Sequence, residues 1–197
     1  MNKVTETTTL EELSMNAWPS LQTIIYDGWI LRFSEGYTKR ANSVNPIYPG
    51  GSDVNEKIDK CESFYFGKGM DTVFKMTNAS YPQGLDRILA SRGYQYQTET
   101  SVQISRLKYD EGSLMPSEQT VALTEDVSDG WLSSFCEMNG ISGTKQQVAR
   151  QMLVNTVPAK RLASVSNDNG KTFYAVIAVI IAGTVLAIRR RRRKRLK

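Results

Sequence analysis

Apolar residues in this chain recur three and four apart in some stretches and two apart in others, and the switches between the two rhythms mark the elements. After a polar start at residues 1–9, TTLEELSMNAW places Leu10, Leu13 and Ala17 near one face of a short helix that Pro19 ends. DGWILRFSEG then alternates. Trp29, Leu31 and Phe33 share one side of a strand, Ile30 and Arg32 the other, with turns at Asp27-Gly28 and Glu35-Gly36. YTKRANSVNP is expected to return beside it as the second strand of a hairpin. Ser52 is the expected N-cap of a helix over 53–66, where Val54, Ile58, Cys61 and Tyr65 keep helical spacing and Gly67 and Gly69 stop it. DTVFKMT reads as a strand. Ser80, Tyr81 and Pro82 open a helix carrying Leu85, Ile88 and Leu89, ended by Gly93, and YQYQTETSVQISRL is β-rich and alternating.

A polar stretch with Gly112 and Pro116 interrupts the pattern, and a linker is expected at 109–119. It separates an N-terminal domain, 1–108, from a second domain beginning over 120–172, and leaves 173–197 as an apolar run with a basic tail. TVALTED is a short strand. Ser128 caps a helix ended by Gly140, and Thr144 with Gln147 has capping-box spacing for a helix to about Asn155, closed by Pro158. KRLASVS and KTFYAVIAV flank NDNG, a strong hairpin signal. The order ββαβαβ, linker, βααββ defines an α+β, or mixed α/β, fold with mostly antiparallel neighbours.

Charge alters the picture in one place. The chain has 197 residues and a net charge of +5, which first suggests nucleic acid. Eight of its 25 basic residues lie between Arg189 and Lys197, so the other 188 positions carry 17 basic and 20 acidic residues, a net of −3. The basicity belongs to the tail, and no specific DNA binding is expected. With no histidine and two cysteines, Cys61 and Cys136, no zinc site is expected, and every Ser-His or Cys-His mechanism is excluded. MNKVTETTTLEEL lacks the apolar core of a secretory signal, so a cytoplasmic location is expected.

Phe173–Ile188 contains no charge. As a helix its sixteen residues would reach about 24 Å against a hydrocarbon core of about 30 Å, a marginal membrane span. As a strand it would continue the NDNG hairpin, with Lys171 to about Val179 paired to Arg161–Ser166. It could also be foreign to the rest of the chain, through a frameshift, fusion or truncation. The Arg189–Lys197 cluster suits contact with an anionic membrane or with RNA.

The block GW-LR…G-T-RANSV-P within Leu10–Gly50, with NAWP before it and SRGY and PAKRLASVSNDNG after it, resembles a bacterial subgroup of the GNAT N-acetyltransferases over roughly residues 10–172. The resemblance implies a GNAT-like mixed, mostly antiparallel sheet with flanking helices. It implies acetyl-CoA as cofactor and acetyl transfer to a small-molecule or peptide amine. It also implies an N-terminal part that is itself GNAT-like and a C-terminal part that holds the cofactor. The family's pyrophosphate signature is Arg/Gln-x-x-Gly-x-Gly/Ala, where glycines let backbone N–H groups close on the diphosphate. No such run occurs in the sequence. RFSEGYT has the wrong spacing and RGYQ lacks the second glycine. The family-like text stops near Thr172, so the cofactor half is expected to be truncated or replaced. No cofactor-binding residue is assigned, and strong acetyl-CoA binding by this chain alone is not expected.

On the recognised block, Asn42 and Ser43 are candidates to hydrogen-bond a substrate amine or carboxylate, and Arg40 to neutralise a carboxylate. The rival reading makes them hairpin residues that satisfy loop backbone. Glu35 and Tyr37 are candidate base and acid, since amine acetylation removes a proton from the ammonium and returns one to the thiolate. Trp18 and Trp29, and the helix face of Trp131, Phe135 and Cys136, are expected to pack the core. The alternative function is a non-catalytic binding domain tethered to a membrane or anionic surface by its tail. A third makes the chain a subunit that borrows a strand and helix from a partner.

Overall fold

The computed structural model of the protein describes residues 3–97, 99–102, 119–167, 172–178, 180–181 and 184–185. They form two compact units: residues 1–94 with 136–157, and residues 95–135 with 158–197. The expected linker at 109–119 lies outside the described residues apart from Gln119, as does the cluster Arg189–Lys197.

The first unit begins with helix α1, Lys3–Ala17, which starts earlier than its apolar spacing predicts. Its fastening is largely polar. The Thr8 hydroxyl donates to the Val4 carbonyl at 3.2 Å, buried Glu11 pairs with Lys75, and the Tyr48 hydroxyl donates to Glu12 at 2.5 Å. This helix is fastened through carboxylates more than through an apolar stripe. Strand β1, Gln22–Tyr26, went unseen in the sequence, and it pairs antiparallel with β2, Trp29–Phe33, from Tyr26↔Trp29 to Gln22↔Phe33. Asp27-Gly28 is therefore the two-residue turn of that hairpin. Its φ values of 43° and 82° give the left-handed pair that right-twisted strands favour. The return expected over YTKRANSVNP is shorter than predicted: a 3-10 turn at Lys39–Ala41, then β3, Val44–Asn45, antiparallel to β2.

Trp29, Leu31 and Phe33 face a core shared with helix α2, Val54–Phe66, and helix α3, Leu85–Ser91. Ile58, Cys61, Tyr65, Leu85 and Leu89 fill it. Full burial of such a side chain contributes about 1.5–3 kcal/mol. Asp53, not Ser52, caps α2, accepting from the amides of Asn55 and Glu56 at 2.9 and 3.1 Å. DTVFKMT forms one bridge only, Phe74 parallel to Val44. Pro82 does not open a helix. Trp29 Nε1 donates to the Tyr81 carbonyl at 3.0 Å and holds that segment as a loop, and α3 starts after Gly84 at φ 80°. Residues 94–97 and 99–102 carry no strand, and the remainder of that β-rich run lies outside the described residues.

Helix α5, Thr144–Val154, adds Val148 and Met152 to a cluster with Ala41, Trp18, Leu21 and Tyr37. The Thr144–Gln147 capping box does not form. Thr144 is already helical, and Gly143, at φ 60°, precedes it without a side-chain cap. The helix expected after Ser128 forms as α4, Asp129–Asn139.

The second unit contains strand β4, Gln119–Thr124, strand β5, Lys160–Asn167, and strand β6, Thr172–Ala178, in an antiparallel sheet of order β4-β5-β6. The hairpin signalled by NDNG forms, in register from Lys160↔Ala178 to Ser166↔Thr172. The first part of the apolar run is thus a strand. A small pair follows, β7 (Ile180–Ile181) with β8 (Thr184–Val185). No helix among the described residues is long and apolar enough to cross a membrane. The architecture is the mixed, antiparallel sheet-and-helix fold expected.

Candidate functional site

The recognised block folds into a loop, Ser34–Ser43, that leaves β2 and returns as β3. Tyr37 N–H donates to the Ser34 carbonyl at 2.9 Å across Glu35 and Gly36, whose φ values are 50° and 68°. Asn42 closes this turn from beneath. Its Oδ1 accepts from the amides of Ser34 at 2.6 Å and Gly36 at 3.0 Å. Its Nδ2 donates to the carbonyls of Thr38 at 2.7 Å and Ser34 at 3.5 Å. Both lone pairs and both amide hydrogens of Asn42 are spoken for. Thr38 caps the 3-10 turn, accepting from Ala41 N–H at 3.3 Å, and Trp18 Nε1 donates to the same hydroxyl at 3.4 Å.

Arg32 supports this loop. Its side chain donates to the carbonyl of Arg40 at 2.7 Å and to that of Trp18, and it has no ion-paired carboxylate among the described residues. Burial lowers its guanidinium to about 10, reinforced by the nearby Arg40 charge, so it stays cationic at neutral pH. The Tyr65 hydroxyl donates to the Arg32 carbonyl at 2.9 Å and fixes the same strand end to α2.

Against this frame the candidate residues separate. Glu35 is exposed at the turn tip. Tyr37 is half-buried beside Trp18, with ring centroids 6.4 Å apart. Burial, with a smaller contribution from Cys136, pushes its phenol up to about 12, so at neutral pH it stays a neutral phenol. The Arg40 side chain is exposed while its carbonyl serves Arg32. Ser43 is buried, its Oγ 3.5 Å from the Arg40 carbonyl and 3.4 Å from Asn45 Nδ2. The loop gathers the five candidates within one stretch, Glu35 and Arg40 outward, Asn42 and Ser43 inward. Trp29 and Cys136 are fully buried, and Trp131 stacks on Phe135 at 5.1 Å.

A second cluster was not anticipated. Lys57, 3% exposed, sits on α2 with Nζ 3.0 Å from Asp27 Oδ2, 2.6 Å from the Asp27 carbonyl and 4.3 Å from the centre of the Trp29 ring. The Asp27 carboxylate also accepts from the amides of Gly51 at 2.9 Å and Ser52 at 3.0 Å. Those amides first, and Lys57 after them, hold its carboxyl well below the usual range. Beside the cluster is a cavity of about 120 Å³, bounded by Trp29, Pro49, Val54, Lys57 and Tyr81 among others. Helical spacing offered the signal: Lys57 lies three residues after Val54 and four before Cys61, on the apolar stripe. Arg32, alternating with Leu31 and Phe33, was placed on the opposite strand face, but nothing in its spacing marked it as buried.

No group of three His, Cys, Asp or Glu side chains suited to a metal occurs among the described residues. Cofactor fit is a matter of sequence here, and residues 1–197 offer no Arg/Gln-x-x-Gly-x-Gly/Ala turn for a diphosphate.

Comparison with known proteins bears on what this frame belongs to. The chain belongs to the family described as probable histone acetyltransferase Rv0428c C-terminal, matched over residues 5–184. It is also similar to the uncharacterized N-acetyltransferase YobR of Bacillus subtilis (strain 168), 28% identical over 178 residues, which cover 87% of this chain and 68% of that protein. No solved structure matches. The resemblance to an acetyltransferase family is thereby shown. The family match runs past Thr172, where the family-like text was read to stop, and takes in all of β6.

Proposed function

We propose that this protein acts as an acetyl-CoA-dependent N-acetyltransferase on a small-molecule or peptide amine, with residues 1–197 taken alone binding acetyl-CoA weakly. The observation that carries the reading is the run β4, α4, α5, β5, β6. The family match extends through it, and its sheet ends on the hairpin that, by the resemblance, leads toward the diphosphate-binding turn. The weak-binding clause follows from the missing glycine signature, because a diphosphate needs backbone amides that only a glycine-lined turn lets approach. On the acceptor side, Glu35 is the exposed carboxylate to take a proton from an ammonium. Arg40 is the exposed cation to meet a carboxylate on the acceptor. Since the family's description names histone acetylation, a lysine-bearing basic peptide is the first acceptor to try.

Acetyl-CoA titration by calorimetry, with thiol release measured beside lysine peptides, polyamines and aminosugars, tests both clauses. The expected result is amine-dependent thiol release that needs acetyl-CoA near ~1 mM, the upper end of usual KM values. Micromolar affinity overturns the weak-binding clause, and no transfer to any amine overturns the enzyme.

A second reading rests on the eight cations between Arg189 and Lys197. Near an anionic surface each contributes about 1 kcal/mol, enough to tether a binding domain. Fractionation of the full chain and of a version ending at Ile188, at low salt, separates the readings. If both remain in the supernatant with anionic vesicles, tethering is out.

A further inference from the structure

We infer that the turn Pro49–Ser52 is a phosphate cradle that the chain keeps closed with its own Asp27 carboxylate. Three donors converge there. The Gly51 amide donates to Asp27 Oδ1 at 2.9 Å, the Ser52 amide to Oδ2 at 3.0 Å, and the Lys57 ammonium lies 3.0 Å from the same Oδ2. Successive backbone amides with a cation beside them are a recurring way for a chain to hold an oxyanion. These amides are not the end of α2. The helix's own first donors, on Asn55 and Glu56, are taken by the Asp53 side chain.

Two further features mark the turn as shaped around an anion. A Cβ on Gly50 would overlap Oδ2 and Cγ of Asp27, so only glycine lets the carboxylate come down onto the amides. Lys57 is 3% exposed, and Asp27 is its ion-pair partner. With that carboxylate removed, the ammonium would keep the Asp27 carbonyl, 2.6 Å away, and lack a counter-charge, which is strongly disfavoured at a buried site. The drive to refill the cradle with an anion is therefore built in. There is room for one bulkier than a carboxylate, because Gly50, Ser52 and Lys57 also border the cavity of about 120 Å³.

The Asp27 carboxylate is fixed on its hairpin turn, and a group held in place competes at an effective concentration far above that of a free ion. The wild-type cradle is thus barred to phosphate, and the diphosphate of acetyl-CoA is kept out of this glycine pair. That last consequence rests on the proposed function. The cradle itself does not, and inorganic ions test it. Asp53 follows Ser52 directly and its charge opposes an incoming anion, so the emptied cradle is expected to bind in the millimolar range.

Asp27→Gly empties the cradle and suits the backbone φ of 43°. Thermal unfolding of the full chain is followed up to about 50 mM sodium phosphate, with sodium chloride holding ionic strength constant. Wild type measured alongside corrects for the general stabilisation that phosphate salts give. Beyond that correction Asp27→Gly should gain about 5 °C, the response of a site with a Kd of about 2 mM. Formate, the missing group in free form, should act likewise. The double variant Asp27→Gly, Lys57→Met lacks the ammonium and should gain nothing. Asp27→Asn leaves a side chain in the cradle, so it should fold and gain nothing. An Asp27→Gly chain that is unfolded in chloride should recover its circular dichroism in phosphate. No gain over wild type, or no recovery, overturns the inference. So does an equal gain in Asp27→Asn or in the double variant, because the ion would then bind elsewhere. Formate active with phosphate inert overturns the phosphate assignment. None of these readouts involves acetyl transfer, so their failure leaves the enzyme reading standing.

Discussion

Two regions of the first unit bury a cation, and they satisfy it in different ways. Under the Ser34–Ser43 loop, Arg32 spends its fork on the carbonyls of Arg40 and Trp18. Under the Asp27-Gly28 turn, Lys57 is neutralised by the Asp27 carboxylate and lies against the Trp29 ring. A guanidinium's fixed, planar donors suit two carbonyls arriving from different segments, whereas an ammonium is a point charge that needs a counter-charge. Both cations work as pins on backbone. The first pin is held by carbonyls, and the second depends on an ionised carboxylate.

The turn is the more tightly built of the two, so the largest effect is expected there. A Cβ placed on Gly28 would lie 2.3 Å from the Pro49 carbonyl oxygen, at a backbone φ of 82° that side chains avoid. Gly28→Ala must therefore move backbone against backbone, and a loss of about 3–5 kcal/mol is expected in denaturant unfolding. Gly36, at the other region's turn, meets nothing within 4 Å, so Gly36→Ala should cost only the strain of its left-handed φ, about 1 kcal/mol. Equal losses at the two glycines would erase the contrast.

Arg32→Met comes next. It leaves the Arg40 and Trp18 carbonyls without their donor in a buried site, at about 1–3 kcal/mol for each. The expected loss is about 3 kcal/mol in denaturant unfolding at pH 7. A variant as stable as wild type would show that the Arg32 pin is dispensable.

Asp27→Asn probes the acid side. Asparagine tolerates the left-handed φ of 43° but carries no charge for Lys57. The folded-state carboxyl of Asp27 is depressed, so its stabilisation is complete above the ordinary carboxylate pKa of about 4 and fades as pH falls through the folded value. Wild type should therefore lose stability from about pH 4 downward, and Asp27→Asn should start lower at pH 7 yet fall less steeply. Parallel pH profiles for the two proteins would assign the acid sensitivity elsewhere.

The parts of this fold that were legible in sequence were those written in local chemistry. Asn169-Gly170 announced the β5–β6 hairpin because only a turn wants that dipeptide between two apolar runs. The α2 stripe was readable because Val54, Ile58, Cys61 and Tyr65 keep one face. Strand β1 was missed because Asp27-Gly28 was read as a bracket before a strand, when it joins two. Helix α1 was misjudged at its start because KVTET, residues 3–7, carries no apolar repeat to announce a helix. The site was half legible. The block from Trp29 to Pro46 stood out by composition, yet composition could not say which polar residues turn inward. Asn42 faces four backbone groups and Arg40 faces solvent, and that difference is set by a 3-10 turn no periodicity predicts.

The smallest effect on stability is expected at Arg40, and it is the most informative for function. Its guanidinium is exposed, and the atom that the fold uses is its carbonyl, which alanine keeps. Arg40→Ala should leave unfolding within about 0.5 kcal/mol of wild type, as exposed substitutions do. Removing its charge should relieve Arg32, whose guanidinium the Arg40 cation disfavours, so any shift should be toward stability. Asn42→Ala, in contrast, frees the amides of Ser34 and Gly36 and should cost about 2 kcal/mol. A loss of amine transfer in Arg40→Ala therefore reports acceptor binding, while the same loss in Asn42→Ala reports a loosened loop. Should Arg40→Ala destabilise the fold as much as Asn42→Ala, the outward and inward halves of the loop would be one structural unit, and Arg40 would no longer serve as a clean probe of the acceptor.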